Sequence, residues 1–202
     1  MNQSSGIIGL FGPKGSGKSA FARLLVEAHG NAERVRFAGP IKRMVAMLIQ
    51  DATNYRLADI GEYVDGDRKE EEIFDFPVPG ITARHLMQTL GTEWGREHVS
   101  QDIWTAIGLT RARDLRRQGK LAVIDDVRFP NEVKAIRWHG GSLVRIRRPG
   151  YEWAKGEHVS EGAIASVAPE YLIENRASLT QLHHSARTFL ADLQAKRAAQ
   201  VQ

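Results

Sequence analysis

Residues 12–19 form the sequence GPKGSGKS, which matches the pattern G-x-x-x-x-G-K-[ST] of a phosphate-binding loop. The apolar run of residues 7–11 before it predicts a short buried strand, and residues 19–28 after it carry apolar side chains at helical spacing. A loop of this kind forms between a strand and a helix, and this chain predicts both. The pattern therefore predicts an α/β fold that begins with a strand, an anion-binding loop and a helix.

The residue types in this loop suit phosphate chemistry. Gly12, Gly15 and Gly17 permit backbone conformations and close approaches that a Cβ would prevent. The loop N–H groups then form an anion-binding concavity at a helix N-terminus, where the helix dipole favours negative charge. Lys18 is placed to reach the β- and γ-phosphates of a nucleotide, and the Ser19 hydroxyl to coordinate Mg²⁺. The alternative is a glycine-rich turn that binds nothing.

A strand that ends in a carboxylate supplies a second part of the predicted site. Residues 121–126, LAVIDD, have the apolar run and terminal acid of a Walker B motif. This places Asp125 at the carboxyl edge of the sheet, where open α/β sheets bind ligands. There Asp125 would hold Mg²⁺ directly or through water, opposite Ser19. The alternative is an aspartate that only caps the following turn.

The polar residues continue beyond that strand in DDVRFPNE, residues 125–132. Two further acids, an arginine and an asparagine at the edge of a sheet favour contact with a substrate over packing. These residues are Asp126, Glu132, Arg128 and Asn131. The alternative is a solvated turn in which Glu132 begins a helix near its positive end.

A group of arginines lies in RIRRPGYEWAKGEH, residues 145–158. Phosphoryl transfer builds negative charge on the moving group, and a closing loop that carries arginines stabilises that charge and excludes water. We therefore expect a lid over residues 147–160, with Arg147 and Arg148 acting beside Lys18 as catalytic residues. The alternative is a surface loop whose arginines are solvated.

Strands and helices alternate along the chain, which favours a mainly parallel sheet covered on both faces, a three-layer α/β/α arrangement. Residues 51–80 are polar and broken by Gly and Pro, which favours an insertion or a mobile flap over core. The other predicted elements are strands at 34–38, 142–147 and 171–174, and helices at 40–49, from 82, at 100–118, 131–138 and 179–195.

Composition narrows the possible functions. The 202 residues suit one domain, and the absence of cysteine excludes disulfides and thiolate metal sites. No apolar run approaches the roughly 20 residues of a membrane helix, and the polar start has no signal-peptide pattern, so we expect a cytoplasmic protein without a membrane partner. The 28 Lys and Arg exceed the 24 Asp and Glu, but they are scattered, so we expect no stable nucleic-acid partner.

Several segments occur in an order that carries a family resemblance. They are GPKGSGKS at 12–19, FAGPIK at 37–42, RHLMQTLGTEWGR at 84–96, DIW at 102–104, DDVRFPNE at 125–132 and HVSE at 158–161. Together they resemble the phage-type deoxynucleoside monophosphate kinases, within the wider group of P-loop nucleoside monophosphate kinases. The resemblance spans roughly residues 6–190. The LGTEWGR and DDVRFPNE stretches are much more specific than the phosphate-binding loop.

This resemblance implies ATP- and Mg²⁺-dependent phosphorylation of a deoxynucleoside 5′-monophosphate to the diphosphate. It implies one P-loop kinase domain over residues 1–202 with a monophosphate-binding insertion at 51–118, a possible homodimer, and a host-cytoplasmic location if the chain is phage-encoded. ATP would be held by Gly12, Lys14, Gly15, Ser16, Gly17, Lys18 and Ser19, and Mg²⁺ by Ser19 and Asp125. The positions that match the acceptor site are Lys42, Arg68, Arg84, Gly91, Thr92, Trp104, Asp126, Arg128 and Glu132.

Within the acceptor set, the resemblance implies that Arg84 and Arg128 bind the phosphate of the deoxynucleoside monophosphate. Trp104 matches a base-stacking surface, with packing as its alternative, and Trp94 is assigned to packing. The chain has Gly39 where many relatives carry an acid, so no general base is assigned. The preferred base and the strictness for deoxyribose stay open.

Two other functions remain open at this point. A dephospho-coenzyme A kinase or another small-molecule kinase would share the core site, although the helical segment with LGTEWGR favours a base-holding region. A nucleotide-gated ATPase that switches its grip on DNA or a protein would need a basic stripe, which the scattered charges do not provide.

Overall fold

A parallel sheet organises the fold. The computed structural model describes residues 6–153, 164–176 and 178–199. Within them the strands are β1 (Gly6–Phe11), β2 (Ala32–Val35), β3 (Leu121–Ile124), β4 (Ser142–Arg147) and β5 (Tyr171–Glu174). They form a five-stranded sheet in the order β2-β3-β1-β4-β5, and each neighbouring pair is parallel. The carboxyl ends of the strands therefore lie at one edge, where the loop after β1 also begins.

The helices are α1 (Lys18–His29), α2 (Gly39–Ala52), α3 (Leu57–Val64), α4 (Ala83–Gln88), α5 (Ile103–Arg117), α6 (Pro130–Trp138) and α7 (Leu179–Ala199). A 3₁₀ turn spans Asp67–Glu70, and a π-helical segment, Thr89–Val99, continues α4. The π-helical pattern is visible where Ser100 N–H donates to the carbonyl oxygen of Gly95 at 2.9 Å, five residues earlier.

Helices cover both faces of the sheet. Successive residues of β1 point to opposite faces, so Ile7 belongs to one buried cluster and Ile8 to the other. The Ile7 cluster includes Leu115 of α5 and Ile136 of α6, and the Ile8 cluster includes Leu25 of α1 together with side chains of α7. The predicted three-layer α/β/α arrangement with a parallel sheet is confirmed.

The chain divides into two compact units. The sheet unit comprises Met1–Phe37 and Ile107–Gln202, and the helical unit comprises Ala38–Ala106. The buried clusters on the two faces of the sheet consist of residues of the sheet unit alone.

The helical unit has a hydrophobic core of its own. Val45 of α2 lies in it together with Ile60 and Tyr63 of α3 and with Ile73, each of them at most 1% exposed. Residues 51–80 were predicted to form an insertion or a mobile flap rather than core, and the absence of core is wrong for Ile60, Tyr63 and Ile73. A few apolar residues at helical spacing are enough to bury one face of α3, although the segment is polar on average.

Some element boundaries differ from the predicted ones. β2 ends at Val35, because Val35 pairs with Ile124 at the end of β3 and the chain then turns into α2. At the other end of the chain, α7 continues as far as Ala199. Among the described residues, no helix is both long enough and apolar enough to cross a membrane.

Candidate active site

The loop between β1 and α1 has the geometry that the sequence pattern predicts. Gly17 has a φ of +98° and Gly12 a φ of +148°, which favour glycine over any residue with a Cβ. A Cβ at Gly17 would overlap the side-chain amide of Asn175, and one at Gly12 would overlap the carbonyl oxygen of Ile146. Both glycines are therefore required by the backbone conformation and by the space around them. Helix α1 begins at Lys18, directly after the loop.

Lys18 folds back over this loop. Its ammonium group donates to the carbonyl oxygens of Gly12, at 2.6 Å, and of Pro13, at 2.9 Å. The Ser16 hydroxyl is buried and has no hydrogen-bond partner among the described residues, whereas Ser19 is exposed in the first turn of α1. The loop thus gathers a cation and two hydroxyl-bearing residues at a helix N-terminus, which is the chemistry needed to bind a polyphosphate.

Asp125, directly after β3, is only 3% exposed and lies between two arginines. Arg34 donates from Nη2 to its Oδ2, and Nε of Arg36 lies 3.5 Å from its Oδ1. Oδ1 has no hydrogen-bond partner among the described residues. A buried carboxylate needs a compensating charge, and these guanidinium groups supply it.

Sequence reasoning missed Arg34 and Arg36. Their spacing of two residues next to a predicted strand indicates a common face. Only the pairing of β2 with β3, however, which sets Val35 beside Ile124, brings that face to Asp125. The spacing of Arg34 and Arg36 indicated that they share a face, but it did not indicate that β3 would be the neighbouring strand.

The segment after Asp125 uses its acids to bind backbone groups. Asp126 accepts from the N–H of Phe37 at 2.9 Å. Glu132 is 1% exposed and accepts from the N–H groups of Arg128, at 2.7 Å, and Phe129, at 3.1 Å. These contacts are those of an acid at the N-terminus of α6, the alternative considered for Glu132. The Arg128 side chain is exposed.

The two predicted lid arginines lie in different surroundings. Arg148 donates from Nη1 to the carbonyl oxygen of Gly15 at 3.2 Å, and its guanidinium lies 4.4 Å from the centre of the Tyr151 ring. Nη1 of Arg147 lies 3.8 Å from Oε1 of Glu174, and its side chain is 58% exposed. Arg148 therefore contacts the phosphate-binding loop directly. The part of the predicted lid from 154 to 160, and with it the HVSE segment at 158–161, lies outside the described residues.

Three segments of the helical unit bring cations together. Lys42 of α2 forms an ion pair with Asp65, and Nε of Arg84 of α4 lies 2.8 Å from Oε1 of Glu70. Lys69 of the 3₁₀ turn is half-buried near both cations. Burial, and then the charges of Lys42 and Arg84, lower the pKa of Lys69 below its ordinary value. We call Lys42, Lys69 and Arg84 the cation cluster; Lys69 was not predicted, and only its place in a Lys- and Arg-bearing turn could have indicated it.

Arg68 has different partners from the cation cluster. Its Nη2 donates to the hydroxyl of Tyr63 at 2.6 Å, and its Nε donates to Glu71 at 2.7 Å. Its guanidinium also lies 4.3 Å from the centre of the Tyr63 ring. In this conformation Arg68 links α3 to the 3₁₀ turn through its contacts with Tyr63.

The two tryptophans of the helical unit differ in exposure. Trp104 is 2% exposed and donates from its indole nitrogen to the carbonyl oxygen of Gly91 at 2.7 Å. Trp94 is 42% exposed, and its ring centre lies 6.1 Å from that of Trp104. These positions favour the packing alternative for Trp104 and leave Trp94 as the accessible indole. Gly91 is buried and Thr92 is exposed on the same π-helical segment.

A cavity of about 480 Å³ lies beside β5 and α7. It contains none of the predicted site residues. Its lining residues are Glu174, Arg176, Thr180, Gln181, His184 and Ser185.

Comparisons with known sequences place the chain beside viral kinases. The family model described as deoxynucleotide monophosphate kinase matches residues 56–186. A putative deoxynucleotide monophosphate kinase of Acanthamoeba polyphaga mimivirus is 34% identical over 170 residues, which cover 80% of this chain and 83% of the relative. The deoxynucleoside-5′-monophosphate kinase of Escherichia phage T5 is 25% identical over 181 residues, which cover 65% of this chain and 71% of the relative.

Solved kinase structures have a more distant similarity. The APS kinase CysC of Mycobacterium tuberculosis, in complex with AMPPNP and APS, has a TM-score of 0.48 at 11% identity and covers 94% of this chain and 99% of its own. A gluconokinase of Sinorhizobium meliloti has a TM-score of 0.48 at 13% identity and covers 98% of each chain. Both TM-scores lie below 0.5, so neither structure identifies a substrate.

Proposed function

Because the chain belongs to the deoxynucleotide monophosphate kinase family and is a kinase that phosphorylates deoxynucleoside monophosphates, we propose that it uses ATP, bound with Mg²⁺ at the loop of residues 12–19. The observation that carries this proposal is the position of Lys18, whose ammonium lies on the carbonyl oxygens of its own loop where α1 begins. A cation and N–H groups at a helix N-terminus are suited to the β- and γ-phosphates. The proposed ATP-binding residues are Gly12, Lys14, Gly15, Ser16, Gly17, Lys18 and Ser19.

The residues around Asp125 fit Mg²⁺. Its Oδ1 is a buried oxygen without a hydrogen-bond partner among the described residues, although Nε of Arg36 lies 3.5 Å away as an ion-pair partner. The exposed Ser19 hydroxyl is a second oxygen donor. Mg²⁺ prefers oxygen ligands and is often held by one or two protein groups together with phosphates and water. The described residues contain no group of three His, Cys, Asp or Glu side chains suited to a metal, so phosphate and water would complete its coordination. When bound, Mg²⁺ would neutralise charge on the phosphates.

Arg148 is proposed as a catalytic residue, supported by its contact with the phosphate-binding loop at Gly15. A guanidinium at this point would stabilise negative charge on phosphate oxygens bound in the loop. Arg147 is proposed for the same role, although in this conformation its Nη1 lies 3.8 Å from Oε1 of Glu174.

The cation cluster of the helical unit is proposed as a binding site for the phosphate of the deoxynucleoside monophosphate. Lys42 and Arg84 are each held by a carboxylate, which orients the two cations, and Lys69 carries a positive charge beside them. Like charges held close together repel one another, and an anion relieves that repulsion. In the helical unit the other proposed acceptor residues are Arg68, Gly91 and Thr92, and in the sheet unit they are Asp126 and Arg128. The burial of Trp104 and Glu132 favours the structural alternatives for these two residues.

Replacement of Lys69 by glutamine is expected to stabilise the free protein while weakening monophosphate binding. The folded-state pKa of Lys69 lies below the unfolded value of about 10.5, so its charged form opposes folding at all lower pH values. The variant should therefore have a higher free energy of unfolding at pH 7. This gain should disappear as the pH rises through the pKa of Lys69 in the folded state and then through its pKa in the unfolded state. We expect the KM for the monophosphate to rise roughly tenfold, because one charge-assisted hydrogen bond is lost.

Thermal unfolding at pH 7 and pH 10.5, together with monophosphate titrations, tests the Lys69 variant. Lys134→Gln, the same change at an exposed position of α6, is the control and should alter neither quantity. A Lys69 variant with a normal KM for the monophosphate would remove Lys69 from the acceptor site.

Replacement of Arg128 by alanine is expected to raise the KM for the monophosphate at least about tenfold while the KM for ATP changes less than about twofold. The side chain is exposed, and the hydrogen bond from its backbone N–H to Glu132 is kept in the variant. Steady-state kinetics with each substrate varied in turn measures both constants. Arg117→Ala, at a side chain that is 68% exposed near the end of α5, is the matched control. Equal changes in both constants would contradict a role in acceptor binding.

The proposed phosphate donor is tested by a coupled assay of diphosphate formation. ATP, GTP and CTP would be compared as donors, with Mg²⁺ present or removed by a chelator. The acceptors would be the four common deoxynucleoside monophosphates, their ribose forms and dephospho-coenzyme A, with product masses recorded. Formation of a deoxynucleoside diphosphate from ATP only when Mg²⁺ is present is the expected result. Equal use of all donors, or activity without a divalent cation, would overturn the proposal.

A further inference from the structure

Asn175 is placed against the phosphate-binding loop by the end of strand β5. It follows Glu174, the last residue of β5, and is 7% exposed. Its backbone N–H donates to the carbonyl oxygen of Arg147 at 2.7 Å, which continues the hydrogen bonding between β4 and β5. The sheet therefore fixes the backbone from which this side chain extends.

The Asn175 side chain reaches a backbone group of the loop. Its Nδ2 donates to the carbonyl oxygen of Ser16 at 2.9 Å in a buried contact between residues 159 positions apart. A Cβ at Gly17 would overlap the same Nδ2, so the loop and the amide fit closely together. The contact is thus shielded from water, which would otherwise compete for the carbonyl oxygen.

This contact sets the direction of the neighbouring N–H group, that of Gly17. Peptide bonds are planar, and those of the described residues are trans, so the C=O of Ser16 and the N–H of Gly17 point in opposite directions. With the Ser16 carbonyl held by Asn175, the Gly17 N–H points away from Asn175. Because Gly17 has no Cβ, the Ser16–Gly17 peptide can rotate easily. Without the contact to Asn175, the N–H of Gly17 would therefore not keep one direction.

We propose that Asn175 is a positioning residue for ATP, which acts by holding the Ser16–Gly17 peptide so that the Gly17 N–H donates to a phosphate oxygen. The inference rests on the proposed binding of ATP at residues 12–19. An N–H group that is oriented before ATP binds gives tighter binding, because the conformational entropy of the loop has already been lost on folding. Asn175 itself need not touch the nucleotide.

The test replaces Asn175 by aspartate and by alanine. Aspartate keeps the shape but sets a carboxylate oxygen against the Ser16 carbonyl oxygen, which should turn the peptide away. We expect the Kd for ATP, measured by calorimetry without acceptor, to rise about 10- to 100-fold for Asn175→Asp and about 3- to 10-fold for Asn175→Ala. The KM for the monophosphate should change less than about twofold in both, since acceptor residues are not involved. Asn54→Asp, the same change at an exposed position, should leave both constants unaltered.

The outcomes separate this inference from the proposed function. Unchanged ATP affinity in both Asn175 variants, or an equal loss of affinity for ATP and monophosphate, would overturn the positioning role. If the aspartate variant does not fold, the alanine variant decides. Lys18→Ala serves as the second reference: unaltered ATP binding there would overturn ATP binding at the loop itself. Weaker ATP binding by Lys18→Ala beside normal binding by both Asn175 variants would refute only the role of Asn175.

Discussion

Replacement of Lys18 by alanine should lower kcat at least about 100-fold while the protein stays folded, because it removes the positive charge proposed to stabilise the transferred phosphate. The ammonium group contacts the carbonyl oxygens of Gly12 and Pro13, so it lies within the loop rather than in solvent. Loss of these two hydrogen bonds is expected to reduce the free energy of unfolding by about 1 kcal/mol. The effect on turnover should therefore greatly exceed the effect on stability.

Coupled measurement of ADP release, together with thermal unfolding, tests the Lys18 variant. Lys134→Ala on the exposed surface of α6 removes a lysine of the same size and charge outside the loop, and its kcat should stay normal. Full turnover with normal ATP saturation in Lys18→Ala would contradict the assignment of the loop as the ATP site. A variant that is inactive because it is unfolded is recognised by its circular dichroism, and Lys18→Met, which keeps the aliphatic chain, then replaces it in the test.

The largest effect on stability is expected from Asp125→Asn. This change leaves the guanidinium groups of Arg34 and Arg36 without their carboxylate, and breaking a buried ion pair on one side costs about 3–5 kcal/mol. The two arginine side chains are 23% and 27% exposed, so water offsets part of this cost. We expect the free energy of unfolding to fall by about 2–3 kcal/mol.

Denaturant unfolding of a double-mutant cycle measures the interaction. Arg34→Met in the Asp125→Asn background should recover part of the loss, because the unpaired cation is removed as well. Asp114→Asn is the control, because Asp114 pairs with Arg117 at the surface and its change should cost less than about 1 kcal/mol. Additive losses in the cycle would show that Arg34 and Asp125 do not stabilise one another. Titration of ATP binding with Mg²⁺ separately reports whether Asp125 also takes part in metal binding.

The sequence was most informative where a function lies in consecutive residues. The loop of residues 12–19 carries its own glycines, its lysine and its preceding strand, so its fold could be derived without knowing any other part of the chain. The parallel sheet was equally accessible, because alternating strands and helices leave few other arrangements.

The helical unit shows where the same reasoning loses accuracy. A regular helical repeat places Leu86, Met87, Leu90 and Trp94 on one side, yet Trp94 is 42% exposed. The segment Thr89–Val99 is π-helical, and its longer turn rotates later side chains away from the face that a repeat of 3.6 residues predicts. Average polarity likewise hid the apolar face of α3, on which Ile60 and Tyr63 are buried.

Sequence by itself determined the glycine-rich loop between β1 and α1, the α/β class and the carboxylate at the end of β3. Only the tertiary structure decided which side chains support them: Arg34 reaches Asp125 over 91 positions, and Asn175 reaches Ser16 over 159. The physical reason is the parallel sheet. Its crossover connections bring the carboxyl ends of distant strands to one edge, and the order of the strands depends on packing between whole elements, which no local pattern records.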